Sequence, residues 1–165
     1  MIRKDDFSRL EINLRGCLDN YKYFRSRLEA STKLLVLVKA NAYGHGAVEF
    51  ASLMEEAGAD YLAVALPVEG VELREAGIKS PVMVLTAGTD FFNEIIDNDL
   101  EPGIPNLYSL KALCDVLEKR GVTDYPVHIK LDTGMHRLGF MTEEMDELMT
   151  FLKDCRSVRV RSVYS

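Results

Sequence analysis

VLVKANAYGHG (residues 36–46) ends an aliphatic run on a lysine and then breaks into glycine, tyrosine and histidine. Five apolar residues in a row, Leu34 to Val38, suit a short strand covered on both faces. Lys39 then sets an ammonium at the strand's C-terminal end, and Gly44 and Gly46 let the backbone reverse sharply. The same unit recurs along the chain. Further apolar stretches, at 61–66, 82–86, 127–132 and 158–164, join the first at 34–39 and a weaker one at 100–104. Helical patterns separate them, so the repeat is β then α and predicts a parallel sheet covered by helices. Six such units fit either a doubly wound sheet or a (β/α)8 barrel, which closes only with eight strands.

The helices are legible from their apolar spacing and their ends. Leu14, Cys17, Leu18, Tyr21 and Leu28 predict one face of a first helix. Leu107, Leu110, Cys114 and Leu117 predict another, with Asn106 as N-cap and Gly121 just past the end. Pro67 suits a first helical turn and Gly77 its stop. Met145, Leu148, Met149 and Leu152 form a last stripe, opened by Thr142 and read as packing. Residues 8–14 (SRLEINL) alternate polar and apolar, which predicts a strand outside the series with no evident partner.

With 47% hydrophobic and 28% charged residues, the 165-residue chain can bury one sizeable core. A net charge of −6, with both signs interleaved, leaves no basic stripe for nucleic acid. The charged N-terminus lacks a signal-peptide core, and five apolar residues fall far short of a membrane span, so a cytoplasmic protein is expected. Cys17, Cys114 and Cys155 make an odd count without metal-ligand spacing and are read as reduced thiols among apolar helix residues.

Both candidate folds gather their chemistry at the C-terminal ends of the strands. An amine there, among apolar residues, is a nucleophile toward carbonyls, and Tyr43 can aim its hydroxyl at the same ligand. The plain alternative is a lysine snorkelling at a strand edge. A second stretch, VHIKLDTGMHRLGF (127–140), places His128, Lys130 and Asp132 on one strand face and Ile129 and Leu131 on the other. Polar residues facing a barrel interior need a connected network or a site, and Lys130 is positioned to pair with Asp132 across the pleat. The loop that follows presents Arg137, whose guanidinium fork suits a carboxylate. His45 and His136 are left as solvated loop residues. Together these point to carbonyl or Schiff-base chemistry on a carboxylate-bearing substrate.

VKANAYGHG resembles the pyridoxal-phosphate signature of alanine racemases, and KLDTGMHRLGF is similar to that family's substrate-arginine loop. The resemblance extends over essentially all 165 residues and is closest to the racemase halves of fused cell-wall ligase–racemase proteins. It implies a (β/α)8 barrel of the alanine racemase type holding pyridoxal 5'-phosphate on Lys39, with L- and D-alanine interconverted for peptidoglycan. It further implies that Lys39 exchanges the α-proton on the D side, Tyr43 reaches the cofactor phosphate and Leu85 contacts its ring. Lys130 matches an often carbamylated position that orients Arg137, and Arg137 holds the substrate carboxylate. The partners implied are an amino-acid substrate and a second subunit in a homodimer, with no nucleic acid and no membrane.

The family pattern continues beyond Ser165 into a histidine, two more β/α units and a β domain carrying the second base. The expectation is therefore an N-terminal portion truncated to about six units, inactive alone. Residues 1–13 would belong with the absent β domain and 14–165 with the partial barrel. A non-enzymatic pyridoxal-phosphate homeostasis protein, a cofactor-free aldolase-like enzyme and a racemase for serine or several amino acids remain open at this point.

Overall fold

In the computed structural model, which describes residues 10–165, every apolar stretch becomes a strand: β1 (Leu35–Leu37), β2 (Tyr61–Val64), β3 (Val82–Val84), β4 (Leu100–Ile104), β5 (Tyr125–Lys130) and β6 (Val158–Tyr164). All neighbours pair parallel, in the order β1-β2-β3-β4-β5-β6. The intervening helices are α1 (Leu14–Ser26), α2 (Lys39–Gly44), α3 (Ala47–Glu56), α4 (Pro67–Glu75), α5 (Phe92–Asp97), α6 (Leu107–Lys119) and α7 (Met145–Asp154). The first three strands are shorter than the apolar runs that announce them. Val38, for example, has already left the extended region at φ −120° and ψ 14°.

Helix ends follow their sequence signals. Asn106 Oδ1 accepts from the Ser109 amide at 2.9 Å, and Pro67 opens α4. Two expectations fail. Leu28 lies beyond α1, of which only Tyr21 is buried, because that face is only partly covered. Met149 is 53% exposed, so the α7 stripe is narrower than its spacing suggests, with Leu148 as its buried member. Residues 10–13 pair with no strand among the described residues, and Asn13 instead caps α1 by accepting from the Gly16 amide at 3.1 Å. Residues 8 and 9 of that expected strand lie outside the described residues.

Alternation along the strands makes two layers. Leu62, Val64, Val82, Val84, Leu100, Ile104, Val127 and Ile129 join the core formed with Leu73, Ile95, Leu110, Leu113 and Leu117 of the helices. The other face carries Tyr61, Glu101 and His128, all buried. Their contacts settle the architecture. In a flat sheet β2 and β6 would lie about 19 Å apart, four spacings of ~4.8 Å. Arg161 of β6 nevertheless donates from Nε and Nη2 to the Tyr61 hydroxyl, at 3.2 and 3.0 Å. The sheet is curled, as a barrel wall is and a doubly wound sheet is not. Among the described residues β1 and β6 are each paired on one side only.

The concave face is wired as one network. Glu101 Oε2 accepts from the Tyr61 hydroxyl at 3.2 Å and from His128 Nε2 at 2.9 Å, while His128 Nδ1 stands 2.7 Å from Ser162 Oγ. Among the described residues no buried side-chain nitrogen or oxygen lacks a partner. Burial by itself would raise the Glu101 carboxyl. The hydrogen bond and charge of His128, then Tyr61 and Arg161, outweigh it and hold the group below its ordinary value. A carboxyl depressed in the folded state contributes stability above its unfolded pKa, about 4.3, and that contribution is lost as pH falls through the lowered value. Urea unfolding midpoints of the protein and of Glu101→Gln are therefore expected to differ most near neutral pH and to converge on acidification below about 4. A gap that stays constant with pH would contradict this role.

Candidate functional site

After β1 the chain reverses in an unusual way. Val38 donates the last ladder bond to the Ala63 carbonyl at 2.8 Å, and then Ala40, Asn41, Ala42 and Tyr43 take φ of 51°, 54°, 50° and 55°. Thus α2 is a left-handed turn built from four non-glycine residues, each of which disfavours it by about 1–2 kcal/mol. Gly44 and Gly46 only complete the reversal that the sequence reading attributed to them.

Hydrogen bonds hold this turn. The Ala42 amide donates to the Val38 carbonyl at 2.9 Å and the Gly46 amide to the Asn41 carbonyl at 3.1 Å. Asn41 Oδ1 accepts from the Ala47 amide at 2.7 Å, and His45 Nδ1 donates to the Ala42 carbonyl at 2.8 Å. Glu69 clamps the start: one carboxylate oxygen accepts from the Ala40 amide at 2.6 Å, the other from the Ala65 and Leu66 amides at 2.7 and 2.9 Å. Charge-assisted bonds of this kind are among the stronger ones available. Glu69 escaped the sequence reading. Its only signal was a glutamate two residues after a helix-opening proline, which marks a cap and hides the reach to Ala40.

The turn carries Tyr43 back beside Lys39. The Lys39 ammonium lies 6.0 Å from the Tyr43 ring centroid, with Lys39 half-buried and Tyr43 exposed. Among the described residues Lys39 Nζ has no hydrogen-bond or ion-pair partner. Leu85 directly follows β3, half-buried, its amide donating to the Val64 carbonyl at 2.9 Å. Lys130 ends β5, with Nζ 5.1 Å from the Tyr164 ring centroid and donating to the Leu131 carbonyl at 3.2 Å. Tyr164 has room because position 103 is glycine: a Cβ there would collide with its hydroxyl and stand 3.2 Å from the Val84 carbonyl oxygen. Burial pushes the Tyr164 phenol up to about 12.

Lys130 and Asp132 do not pair. Asp132 Oδ1 accepts from the Gly134 and His136 amides at 2.9 and 3.0 Å, and Oδ2 lies 3.4 Å from His136 Nδ1. These backbone bonds, Gly134 first, hold the Asp132 carboxyl below its ordinary value. Asp132 thus folds the loop, and His136 is part of that fold. The loop closes where Leu131 bridges Phe140, with the Asp132 amide donating to the Phe140 carbonyl at 2.9 Å and the Phe140 amide to the Lys130 carbonyl at 2.8 Å. Arg137 stands exposed on it, without a hydrogen bond or ion pair to Lys130 or any other described residue.

The C-terminal ends of β1, β3 and β5 therefore carry Lys39, Leu85 and Lys130, and the turns after β1 and β5 carry Tyr43 and Arg137. The arrangement offers an amine free to attack a carbonyl, a phenol, an apolar wall and a guanidinium on one rim. An apolar groove of about 360 Å³ lies against the unpaired side of β1, between α1 and α3, but Lys39 does not line it. Tyr43 does line it, so the groove at the sheet edge adjoins the rim through the turn after β1.

Known proteins share both the sequence and the architecture. The family model "Alanine racemase, N-terminal domain" matches residues 12–165. An alanine racemase of Synechocystis sp. is 37% identical over 158 residues, covering 94% of this chain and 42% of that protein. One from Clostridium perfringens is 42% identical over 135 residues, or 81% of this chain and 34% of that one. The crystal structure of alanine racemase from E. faecalis matches with a TM-score of 0.85 at 34% identity, over 92% of this chain and 42% of that chain. The structure from Clostridium difficile 630 in complex with cycloserine gives 0.82 at 35% identity, over 92% and 41%. The chain spans about two-fifths of the length of these relatives. Since the match runs from the first helix through the rim residues to β6, the chain belongs to the alanine racemase family, whose members depend on pyridoxal phosphate.

Proposed function

We propose that this protein interconverts L- and D-alanine, with pyridoxal phosphate carried by Lys39, and so supplies D-alanine for peptidoglycan. In this reading it works in the cytoplasm as a homodimer, without a nucleic-acid or membrane partner; among the described residues no helix is long and apolar enough to cross a membrane. The donor set supports the cofactor. Its aldehyde needs an amine, its ring an apolar wall and its phosphate a hydrogen-bond donor, and Lys39, Leu85 and Tyr43 offer one of each at the strand ends. The observation that carries the reading is the left-handed turn returning Tyr43 to the partnerless amine of Lys39.

When bound, pyridoxal phosphate supplies an electron sink that eases departure of the proton on the substrate's Cα. Lys39 would hold the cofactor through its aldehyde, and the same amine would take or return the substrate's Cα proton on one face. A lone amine serves one face only, so the opposite face needs a second base, which the resemblance implies the second subunit would supply. Tyr43 would donate its hydroxyl to the phosphate, and Leu85 would exclude water from the ring. Arg137 grips the substrate carboxylate through two parallel N–H bonds. Lys130 orients Arg137 as a carbamate. An anion is not attracted to a ring face, so a carbamylated Lys130 leaves Tyr164 and turns toward the guanidinium.

Steady-state racemisation of D-alanine by the cofactor-loaded protein tests this reading. Turnover is expected from a chain of its relatives' full length and not from residues 1–165 alone, and Arg137→Leu in that longer chain is expected to raise KM for alanine about 10²-fold, the loss of a two-point carboxylate contact. An unchanged KM in Arg137→Leu would remove the arginine from substrate binding.

A further inference from the structure

Cys114 and Cys155 are 41 residues apart in sequence, yet their Sγ atoms stand 3.1 Å apart. Cys114 lies on the inner face of α6, buried with Leu110, Leu113 and Leu117. Cys155 caps α7, leaving the helix at φ −81° and ψ 111°, and is half-buried. Both are free thiols. Among the described residues no group of three or more His, Cys, Asp or Glu is placed to hold a metal ion. Two free thiols in contact, one core-facing and one open to small solutes, are arranged for a different chemistry.

We propose that Cys114 and Cys155 form a modification site, a dithiol that a peroxide or a low-molecular-weight disulfide converts into a disulfide joining α6 to the end of α7. The half-buried Cys155 meets the oxidant first. With a peroxide, its sulfur attacks the O–O bond, keeps one oxygen as a sulfenic acid and releases the other as water. Cys114 Sγ then attacks that sulfur, the S–S bond forms, and the sulfenic oxygen leaves as water with the Cys114 proton. Two thiols and one peroxide give one disulfide and two waters. With a small disulfide, two successive exchanges release two small thiols. Burial, then the contact with Cys155 and the charges of Glu118 and Asp115, pushes the Cys114 thiol up, which makes the second, resolving step slow.

The location gives the bond a consequence. The covalent ring runs from Cys114 through β5, Lys130, the Arg137 loop and α7 to Cys155. Closing it restrains the unfolded chain over the stretch that presents Arg137, so the loop is expected to open less often. The geometry of the thiol pair carries this inference independently of the catalytic reading.

The purified protein, treated with hydrogen peroxide or oxidised glutathione, then alkylated and digested without reductant, provides the test. The expected product is one linked peptide pair, Cys114 to Cys155, lighter by two hydrogens than the separate peptides. Cys17 remains alkylated, and dithiothreitol reverses the link. Oxidised protein should also melt about 5–10 °C higher, with slower amide exchange across residues 131–141. Cys155→Ser, changed at the half-exposed end where misfolding is not expected, should lose both the link and the shift. Stable sulfinic acid or glutathione on Cys155 with Cys114 still free, or a link through Cys17, would overturn the proposal.

Discussion

Replacing Lys39 by alanine is expected to remove the visible absorbance of bound cofactor and, in a chain of its relatives' full length, to lower the proposed racemisation by about 10³-fold or more, within the range for losing a proton-transferring group. The fold should survive. Among the described residues Lys39 Nζ makes no hydrogen bond or ion pair and lies 6.0 Å from the Tyr43 ring, and α2 is held by backbone and Glu69 bonds that the substitution leaves intact. Its unfolding midpoint should move by no more than about 0.5 kcal/mol equivalent, as for a surface change. Absorbance, turnover and a melting curve on one preparation check the three together. Activity lost through unfolding would show that Lys39 supports the turn and does not serve chemistry.

The second large effect is structural and lies beneath Arg137. Gly139 has φ +127°, and a Cβ there would stand 2.5 Å from the Asp132 nitrogen and the Leu131 carbonyl carbon and 2.8 Å from the Leu131 oxygen. All three are backbone atoms at the end of β5, so nothing can yield without breaking the Leu131–Phe140 bridge. Gly139→Ala is expected to cost roughly 2–4 kcal/mol, from an unfavourable φ together with the collision. For a chain of this size that is a drop of about 4–16 °C in melting temperature. Phe140, 1% exposed, would be drawn out of the core and its amide exchange accelerated. Gly134→Ala separates the two causes. Its φ of +132° is equally disfavoured, but no atom lies within 4 Å of the added Cβ, so its effect should be clearly smaller. Equal losses in the two variants would mean that backbone conformation alone, and not the close approach at Gly139, shapes the loop.

Lys39 at a strand end and Arg137 in the next glycine-bounded loop were legible because alternation and turn composition are local signals, and both residues stand where those signals place them. The period of two along β5 likewise put His128 and Ile129 on opposite faces, as observed. Curvature was not legible. Six parallel strands are compatible with two folds, and what separates them is a contact between residues 61 and 161. The left-handed turn was misassigned for a related reason. Glycine is the usual marker of positive φ, whereas here two alanines, an asparagine and a tyrosine adopt it under constraint from Glu69, 29 residues from Ala40. Asp132 was given the wrong partner because periodicity shows which face a side chain takes, and the loop amides that it accepts from come from a turn no periodicity describes. The meeting of Cys114 with Cys155 is of the same kind: their spacing shows no metal-ligand pattern and says nothing of a helix residue and a helix cap brought together by packing.

The most direct measurement on the central claim is where vitamin B6 aldehyde attaches. The purified protein, incubated with pyridoxal phosphate, reduced with borohydride and digested, should yield one phosphopyridoxyl peptide, modified at Lys39. Modification at Lys130 or any other lysine, or no stable adduct at all, would contradict the account.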